Sequence, residues 1–320
     1  MLFLNGADID RVVETSAMVD AIEEAYRIQD AGNFVMPKRM HVEQGENTLL
    51  LMPCFTDASL TTKLVTVNPE NINIDKAVVN GLLILSDKTT GDSLALMDGA
   101  KLTAHRTGAV GGVAMRYLAG ENAKTIGLVG AGVQGFHQLL YTCSERRIEE
   151  TWVYDSNKDK LESFISDLGR KLKNVRIIKA ESVLDLVKNA DVIITATSSK
   201  EPVLPDLEAV YNGKIIIAMG SYRPDMREIP QKFFEVCDKI FVDTMHALQE
   251  SGDIIDPYKN RWYRNELIPM ADLLADKAKI GDNEQTILFK SVGMALFDNL
   301  AARYIYRSAL ENKIGTEIDL

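Results

Sequence analysis

Thr125-Ile126-Gly127-Leu128-Val129-Gly130-Ala131-Gly132-Val133-Gln134-Gly135 is the stretch on which the fold is decided. A short apolar run leads into G-x-G-x-x-G, and an amphipathic segment, Val133 to Arg146, follows. Any glycine-containing turn can produce such a match, so its position between strand and helix carries the meaning. There Gly130 can make the tight turn, Gly132 lets the backbone approach a pyrophosphate at the helix N-terminus, and Gly135 permits close helix packing. Asp155 ends the next strand-like run, 25 positions after Gly130, where a carboxylate can accept hydrogen bonds from adenosine ribose hydroxyls. No arginine follows in Asp155-Ser156-Asn157-Lys158 to welcome a 2′-phosphate. NAD(H) is therefore expected over NADP(H), and Lys158 is the residue that keeps NADP(H) open.

Outward from this loop the pattern is a strict alternation of buried strands and amphipathic helices. Thr125 to Gly130, Thr151 to Asp155, Val175 to Ala180, Asp191 to Thr197, Lys214 to Gly220 and Lys239 to Thr244 are six strand candidates. Most are continuous apolar runs, as parallel strands covered on both faces require. Val133 to Arg146, Lys158 to Lys173 and Val183 to Asn189 are long enough to be crossover helices. This order predicts a Rossmann-type, doubly wound α/β domain.

Toward the N-terminus, residues 16 to 32 read as a helix with Ser16 as N-cap, Ala17, Ala21, Ile22, Ala25 and Ile28 on one face, and Gly32 as the stop. Thr48 to Met52, Thr62 to Val67, Gly81 to Ser86 and Ser93 to Met97 are short and β-rich, with turn residues between them. Lys101 to Leu118 reads as a helix rich in alanine and glycine, and the tail from Glu284 to Lys313 as helical. At 320 residues the chain exceeds one comfortable core of about 250 to 300 residues, so two domains are expected.

Composition narrows the function classes. With 46% hydrophobic and 26% charged residues the chain is of globular type, and no apolar run of about 18 residues is available to span a bilayer. The start, Met1 to Leu4, lacks the basic flank and long apolar run of a secretion signal, so a cytoplasmic protein is expected. A net charge of -10, with no basic stripe, argues against a nucleic-acid partner. Cys54, Cys143 and Cys237 lack metal-ligand spacing, and His41, His105, His137 and His246 form no i, i+4 pair, so no metal site is expected.

Two cations occupy unusual places. Lys63 lies inside the strand-like Thr62-Lys63-Leu64-Val65, and Arg106 inside the small, apolar helix Leu102 to Ala114. A cation in such a setting needs a partner, and an anion-binding role is the functional reading. Spacing does not place them, or Arg39, together.

Pro37-Lys38-Arg39, Lys63 to Asn71, Leu102-Thr103-Ala104-His105-Arg106-Thr107-Gly108-Ala109, the glycine loop, Met219-Gly220-Ser221-Tyr222-Arg223-Pro224-Asp225-Met226-Arg227-Glu228 and Ser291-Val292-Gly293 run through nearly the whole chain in order. Together they resemble the ornithine cyclodeaminase and μ-crystallin family. That family includes ornithine and lysine cyclodeaminases, an archaeal type of alanine dehydrogenase, and ketimine or pyrroline-2-carboxylate reductases. The resemblance implies a dinucleotide-binding domain, here 119–289, and a substrate-binding and dimerisation domain built from both chain ends, 1–118 with 290–320. It implies a homodimer and a small α-amino or α-imino acid substrate. Arg39, Lys63 and Arg106 would surround the substrate carboxylate, with Lys63 as the catalytic group near the reacting nitrogen and Val292 facing the substrate. Val133 and Gln134 would cover the pyrophosphate, Asp155 the ribose, and Thr197, Met219, Gly220, Ser221 and Ser291 the rest of the cofactor.

The chain departs from the cyclodeaminases at two acids. Their catalytic aspartate falls at Tyr222 and their amine-binding glutamate at Leu50. A phenol ordinarily titrates at about pH 10 and is a poor base at neutral pH, and leucine cannot hold a second ammonium. Tyr222 is thus expected to line the substrate pocket. A reductase of α-imino acids is expected first, an NAD-recycling ornithine cyclodeaminase second, and a dinucleotide-binding protein with little turnover third.

Overall fold

The computed structural model describes residues 1–74, 76–281 and 285–319, and these divide into two compact units. Unit 1 comprises Met1–Arg106 and Met294–Leu320, and unit 2 comprises Thr107–Gly293. The division falls inside the helix Gly99–Leu118.

Unit 1 is built on an eight-stranded sheet. Its strands are β1 (Leu2–Leu4), β2 (Phe34–Val35), β3 (Met40–Gln44), β4 (Asn47–Thr56), β5 (Leu60–Val67), β6 (Val79–Ser86), β7 (Ser93–Asp98) and the final strand Thr316–Glu317. β4, β5, β6 and β7 form an antiparallel meander, and β1 joins it parallel to β7. Alternation along β5 sends Thr61, Lys63 and Val65 to the buried face, against which the C-terminal helix Ala295–Asn312 packs. Leu64, Leu82 and Ile84 point to the opposite face and are exposed. The helix Thr15–Ala31 stops as expected at Gly32, whose φ of 71° is open to glycine at little cost. Its start differs from expectation: Glu14, not Ser16, is the N-cap, without a side-chain cap bond. Its buried stripe is Met18, Val19, Ile22, Ala25 and Tyr26, while Ala17, Ala21 and Ile28 are only partly covered, because the bulkier side chains fill the core.

Unit 2 holds eight parallel strands: β8 (Thr125–Val129), β9 (Glu150–Tyr154), β10 (Arg176–Lys179), β11 (Val192–Thr195), β12 (Ile215–Ala218), β13 (Lys239–Val242), β14 (Leu267–Pro269) and β15 (Ile287–Lys290). Their order is β10-β9-β8-β11-β12-β15-β13-β14. The chain winds outward from β8 in both directions, so a topological switch point lies between β8 and β11. The helices Val133–Glu145, Lys158–Lys171 and Val183–Asn189 are the crossovers. The tail corrects the sequence reading: Ile287–Lys290 is a strand inserted between β12 and β13, and the helix begins only at Ala295. Glu284 lies outside the described residues. Three apolar residues and a lysine carry no period that separates strand from helix, and parallel neighbours on both sides settled the matter. Among the described residues no helix is long and apolar enough to cross a membrane.

Candidate active site

In unit 2 the glycine loop is shaped by what a side chain would strike. Gly130 has a φ of 108°, and a Cβ there would lie 2.5 Å from the Ala196 carbonyl oxygen. At Gly135 a Cβ would come within 2.0 Å of the Gly130 carbonyl oxygen, so the helix sits directly on the turn. Gly132 is different, because a Cβ there would meet nothing within 4 Å. It is the N-cap of the 13-residue helix Val133–Glu145 and offers no side-chain cap, which leaves first-turn N–H groups directed toward that open space.

Asp155 secures this cradle. One carboxylate oxygen accepts the Ala131 N–H at 2.7 Å and the other accepts the Asn157 N–H at 2.8 Å. Each oxygen keeps a further lone pair. Asp155 lines a cleft of about 630 Å³ with Gly130, Gly132, Ser156 and Thr197, at the carboxyl ends of the strands around the switch point. The shape and donors fit a dinucleotide: a glycine-lined approach to helix N-terminal amides, with a carboxylate at the end of the neighbouring strand β9. Val133 is exposed and Gln134 half-buried beside the loop.

Across the switch point stands a carboxylate to which sequence reading assigned no role. Glu228 is wholly buried, and its Oε1 accepts from the Thr197 N–H at 2.7 Å and the Thr197 hydroxyl at 2.8 Å. Its Oε2 accepts from the Thr195 hydroxyl and the Gly220 N–H, both at 2.9 Å. Below it Asp253 receives the Glu228 N–H at 2.7 Å and pairs with buried Lys290 at 3.2 Å. Burial raises the Glu228 pKa; the Lys290 ammonium opposes that shift and the Asp253 carboxylate adds to it.

Other expected cofactor residues have their side chains turned inward. The Ser221 hydroxyl donates to the Met226 carbonyl oxygen at 2.7 Å and lies 2.8 Å from the Ser251 hydroxyl. Ser291 donates to Asp243 at 2.7 Å, and the same Asp243 oxygen accepts the N–H groups of Val292 and Gly293 at 3.0 and 2.7 Å. The hydroxyl protons of Ser221 and Ser291 are thus committed within the protein, and the Ser291 N–H donates to the Ala218 carbonyl oxygen at 3.2 Å. Met219 and Val292 are buried, and Tyr222 is exposed.

Unit 1 brings Lys63 and Arg106 together on a residue that sequence reading missed, Asp298. Lys63 Nζ lies 2.7 Å from Asp298 Oδ2, and Arg106 Nε donates to Oδ1 at 2.9 Å. Lys63 and Asp298 are at most 2% exposed. Lys63 also donates to the Thr103 hydroxyl at 3.3 Å. Burial pushes the Lys63 ammonium down to about 8; Asp298 resists this, while Arg106 and then Arg39 add to it. Arg39, half-buried in the loop before β3, is thus within electrostatic reach of Lys63. Leu50 occupies the same sheet face, two residues from Met52, the cross-strand partner of Lys63. The clue to Asp298 was present in Leu296-Phe297-Asp298-Asn299-Leu300, an acid inside an apolar helix.

A cleft at the switch point of a doubly wound parallel sheet in one unit, and a buried lysine and arginine paired with one aspartate in the other, define a dinucleotide-fold protein with a second, charge-cored unit. The chain belongs to the ornithine cyclodeaminase/mu-crystallin family, whose model matches residues 1–313. A Δ1-pyrroline-2-carboxylate reductase of Bacillus cereus is 32% identical over 330 aligned positions, covering 100% of both chains. The structure of Thermococcus litoralis Δ1-pyrroline-2-carboxylate reductase in complex with NADH and L-proline matches with a TM-score of 0.92 at 34% identity, over 99% of this chain and 100% of that one. An archaeal alanine dehydrogenase dimer with bound NAD matches at 0.91 with 27% identity, over 100% of this chain and 99% of that one.

Proposed function

We propose that this chain is an NAD(P)H-dependent reductase of small α-imino acids, of ketimine or pyrroline-2-carboxylate type, and equally an amino-acid dehydrogenase in reverse. The observation that carries the reading is the buried Lys63–Asp298–Arg106 cluster, in which two cations share one carboxylate and leave an excess of positive charge. A substrate carboxylate supplies the missing anion. Arg106 uses Nε for Asp298, so its forked Nη end is the part that meets a second carboxylate, with Arg39 adding charge. Lys63, with its pKa near 8, donates the proton that the imine nitrogen needs and recovers it from solvent. When bound, the reduced nicotinamide supplies the hydride for the imine carbon. The relatives named above are reductases and a dehydrogenase, which supports this chemistry.

The test follows the absorbance of NADH or NADPH with Δ1-pyrroline-2-carboxylate, Δ1-piperideine-2-carboxylate and keto acids with ammonia, beside proline and ammonia formation from ornithine. Stoichiometric cofactor oxidation with an imino acid, and little reaction with ornithine, is the expected result. Rapid conversion of ornithine with no net change in NAD would restore the lyase. Inactivity across the panel would favour a binding protein.

Asp155 tunes the cofactor. Its carboxylate repels a 2′-phosphate, so NADH binds more tightly than NADPH, and Asp155→Ser narrows that ratio by on the order of tenfold, about 1.4 kcal/mol. Titration of both cofactors into both proteins checks it; equal affinities in the unaltered protein would remove Asp155 from the ribose site.

The reading includes a homodimer and a cytoplasmic setting. Exposed Val42, Phe55, Leu64, Leu82 and Ile84 lie on one face of the sheet of unit 1, the face away from Lys63, and form an apolar surface of the kind that marks an interface. A second copy covers it, and a monomer in light scattering would overturn that assignment. Cys54, Cys143 and Cys237 are free thiols, in keeping with a reducing compartment.

A further inference from the structure

We propose that Glu228 is the positioning residue for the nicotinamide half of the cofactor, acting as a pin that holds the ends of β11 and β12 where that half must lie. The inference rests on the dinucleotide reading above and deepens it. The pyrophosphate cradle stands at the end of β8 and Asp155 at the end of β9, so the adenosine half occupies that side of the switch point. The remaining half therefore extends over the ends of β11 and β12.

There the regular ladder stops. Thr195 and Ala218 are the last ladder-paired residues of their strands, and beyond them Thr197 and Gly220 run close beside one another. The Glu228 carboxylate replaces the missing ladder: Oε1 takes both donors of Thr197, on the β11 side, and Oε2 takes the Gly220 N–H, on the β12 side, together with the Thr195 hydroxyl. The same geometry explains Gly220. A Cβ at that position would come within 2.1 Å of the Thr197 carbonyl oxygen and 2.4 Å of Glu228 Oε1. Glu228 is itself held from below, since its N–H and that of Ile229 both donate to Asp253, which pairs with Lys290 at the end of β15. Three adjacent strand ends are thereby joined through one buried acid–base network.

The two oxygens of Glu228 face fixed backbone donors on opposite sides, and this makes Glu228→Gln a sharp probe. Whichever way the amide turns, its NH₂ meets either the Thr197 N–H or the Gly220 N–H, and one donor is orphaned in a buried place. The ends of β11 and β12 then lose that pin, whereas the Ala131 N–H of the glycine cradle stays held by Asp155 at the end of β9.

The experiment compares NADH with ADP-ribose, which lacks the nicotinamide, by calorimetric titration of the wild-type protein and E228Q, with thermal unfolding measured alongside. We expect E228Q to weaken NADH by about tenfold or more and ADP-ribose by less than about threefold. Equal losses for both ligands, or a lowered Tm with NADH affinity unchanged, would make Glu228 a structural residue only and overturn the proposal. If E228Q does not fold, E228D serves: it keeps the charge but is too short to reach both strand ends, and the same difference between ligands is expected. Because binding is read without turnover, the result stands apart from the reaction assigned above. A wild-type protein that binds NADH yet reduces no imino acid would defeat that reaction and leave the Glu228 comparison intact, whereas failure to bind NADH would defeat both.

Discussion

Lys63→Met lowers kcat for imino-acid reduction by on the order of 10² to 10⁴, the usual contribution of a positioned proton donor, and leaves NADH affinity within a few fold. Methionine fills much of the same volume, so the loss reports on the ammonium and not on a cavity. The unaltered protein should carry a matching pH signature. Lys63 is held down to about 8 from an ordinary value near 10.5, chiefly by burial. Reduction needs the protonated form, which is present below that value and lost as pH rises through it. The rate of reduction therefore falls above about pH 8, and amino-acid oxidation, which needs the neutral amine, rises over the same range. Rate profiles in both directions check the sign. A Lys63→Met enzyme within tenfold of wild type, or a wild-type reduction rate that climbs past pH 8, would remove Lys63 as the acid.

Asp298→Asn should be the most damaging change to unit 1. It takes the one carboxylate from between two buried cations, and breaking a buried ion pair in this way costs about 3 to 5 kcal/mol. A drop in Tm of many degrees is expected. The second consequence is chemical. Asp298 is what resists the downward shift of Lys63, so without it the ammonium titrates at still lower pH. The folded fraction of Asp298→Asn then reduces imino acids poorly at neutral pH, with its profile moved toward acid. A purely structural aspartate would lower Tm and leave the profile where it was, and that outcome would separate Asp298 from the chemistry.

Legibility in the sequence followed the range of the interactions. The glycine loop was readable because its requirements are local: a positive φ at Gly130, a bare Cα at Gly132, and contact between Gly135 and the turn five residues earlier. The alternation of apolar strands and amphipathic helices was readable for the same reason. Ser16 misled, since a good capping residue two positions late is not distinguished by composition from a true N-cap. Ser221 and Ser291 stood in the right motifs, but a sequence does not reveal that their hydroxyls are engaged by Met226 and Asp243.

What the sequence determined alone was the doubly wound class, the glycine turn between β8 and its helix with the acid at Asp155, and the oddity of Lys63 and Arg106 as cations in apolar elements. Periodicity and turn chemistry are written within a few residues, and the chain cannot satisfy them in many ways. Tertiary structure decided which charges meet. Arg106 and Asp298 are 192 positions apart, and only the packing of the C-terminal helix on β4 and β5 puts the aspartate against both cations. It likewise decided that Ile287–Lys290 is a strand and that Glu228 joins two strand ends. Such pairings depend on desolvation and on partners far along the chain, and a buried charge becomes specific only when the fold has chosen its counter-charge.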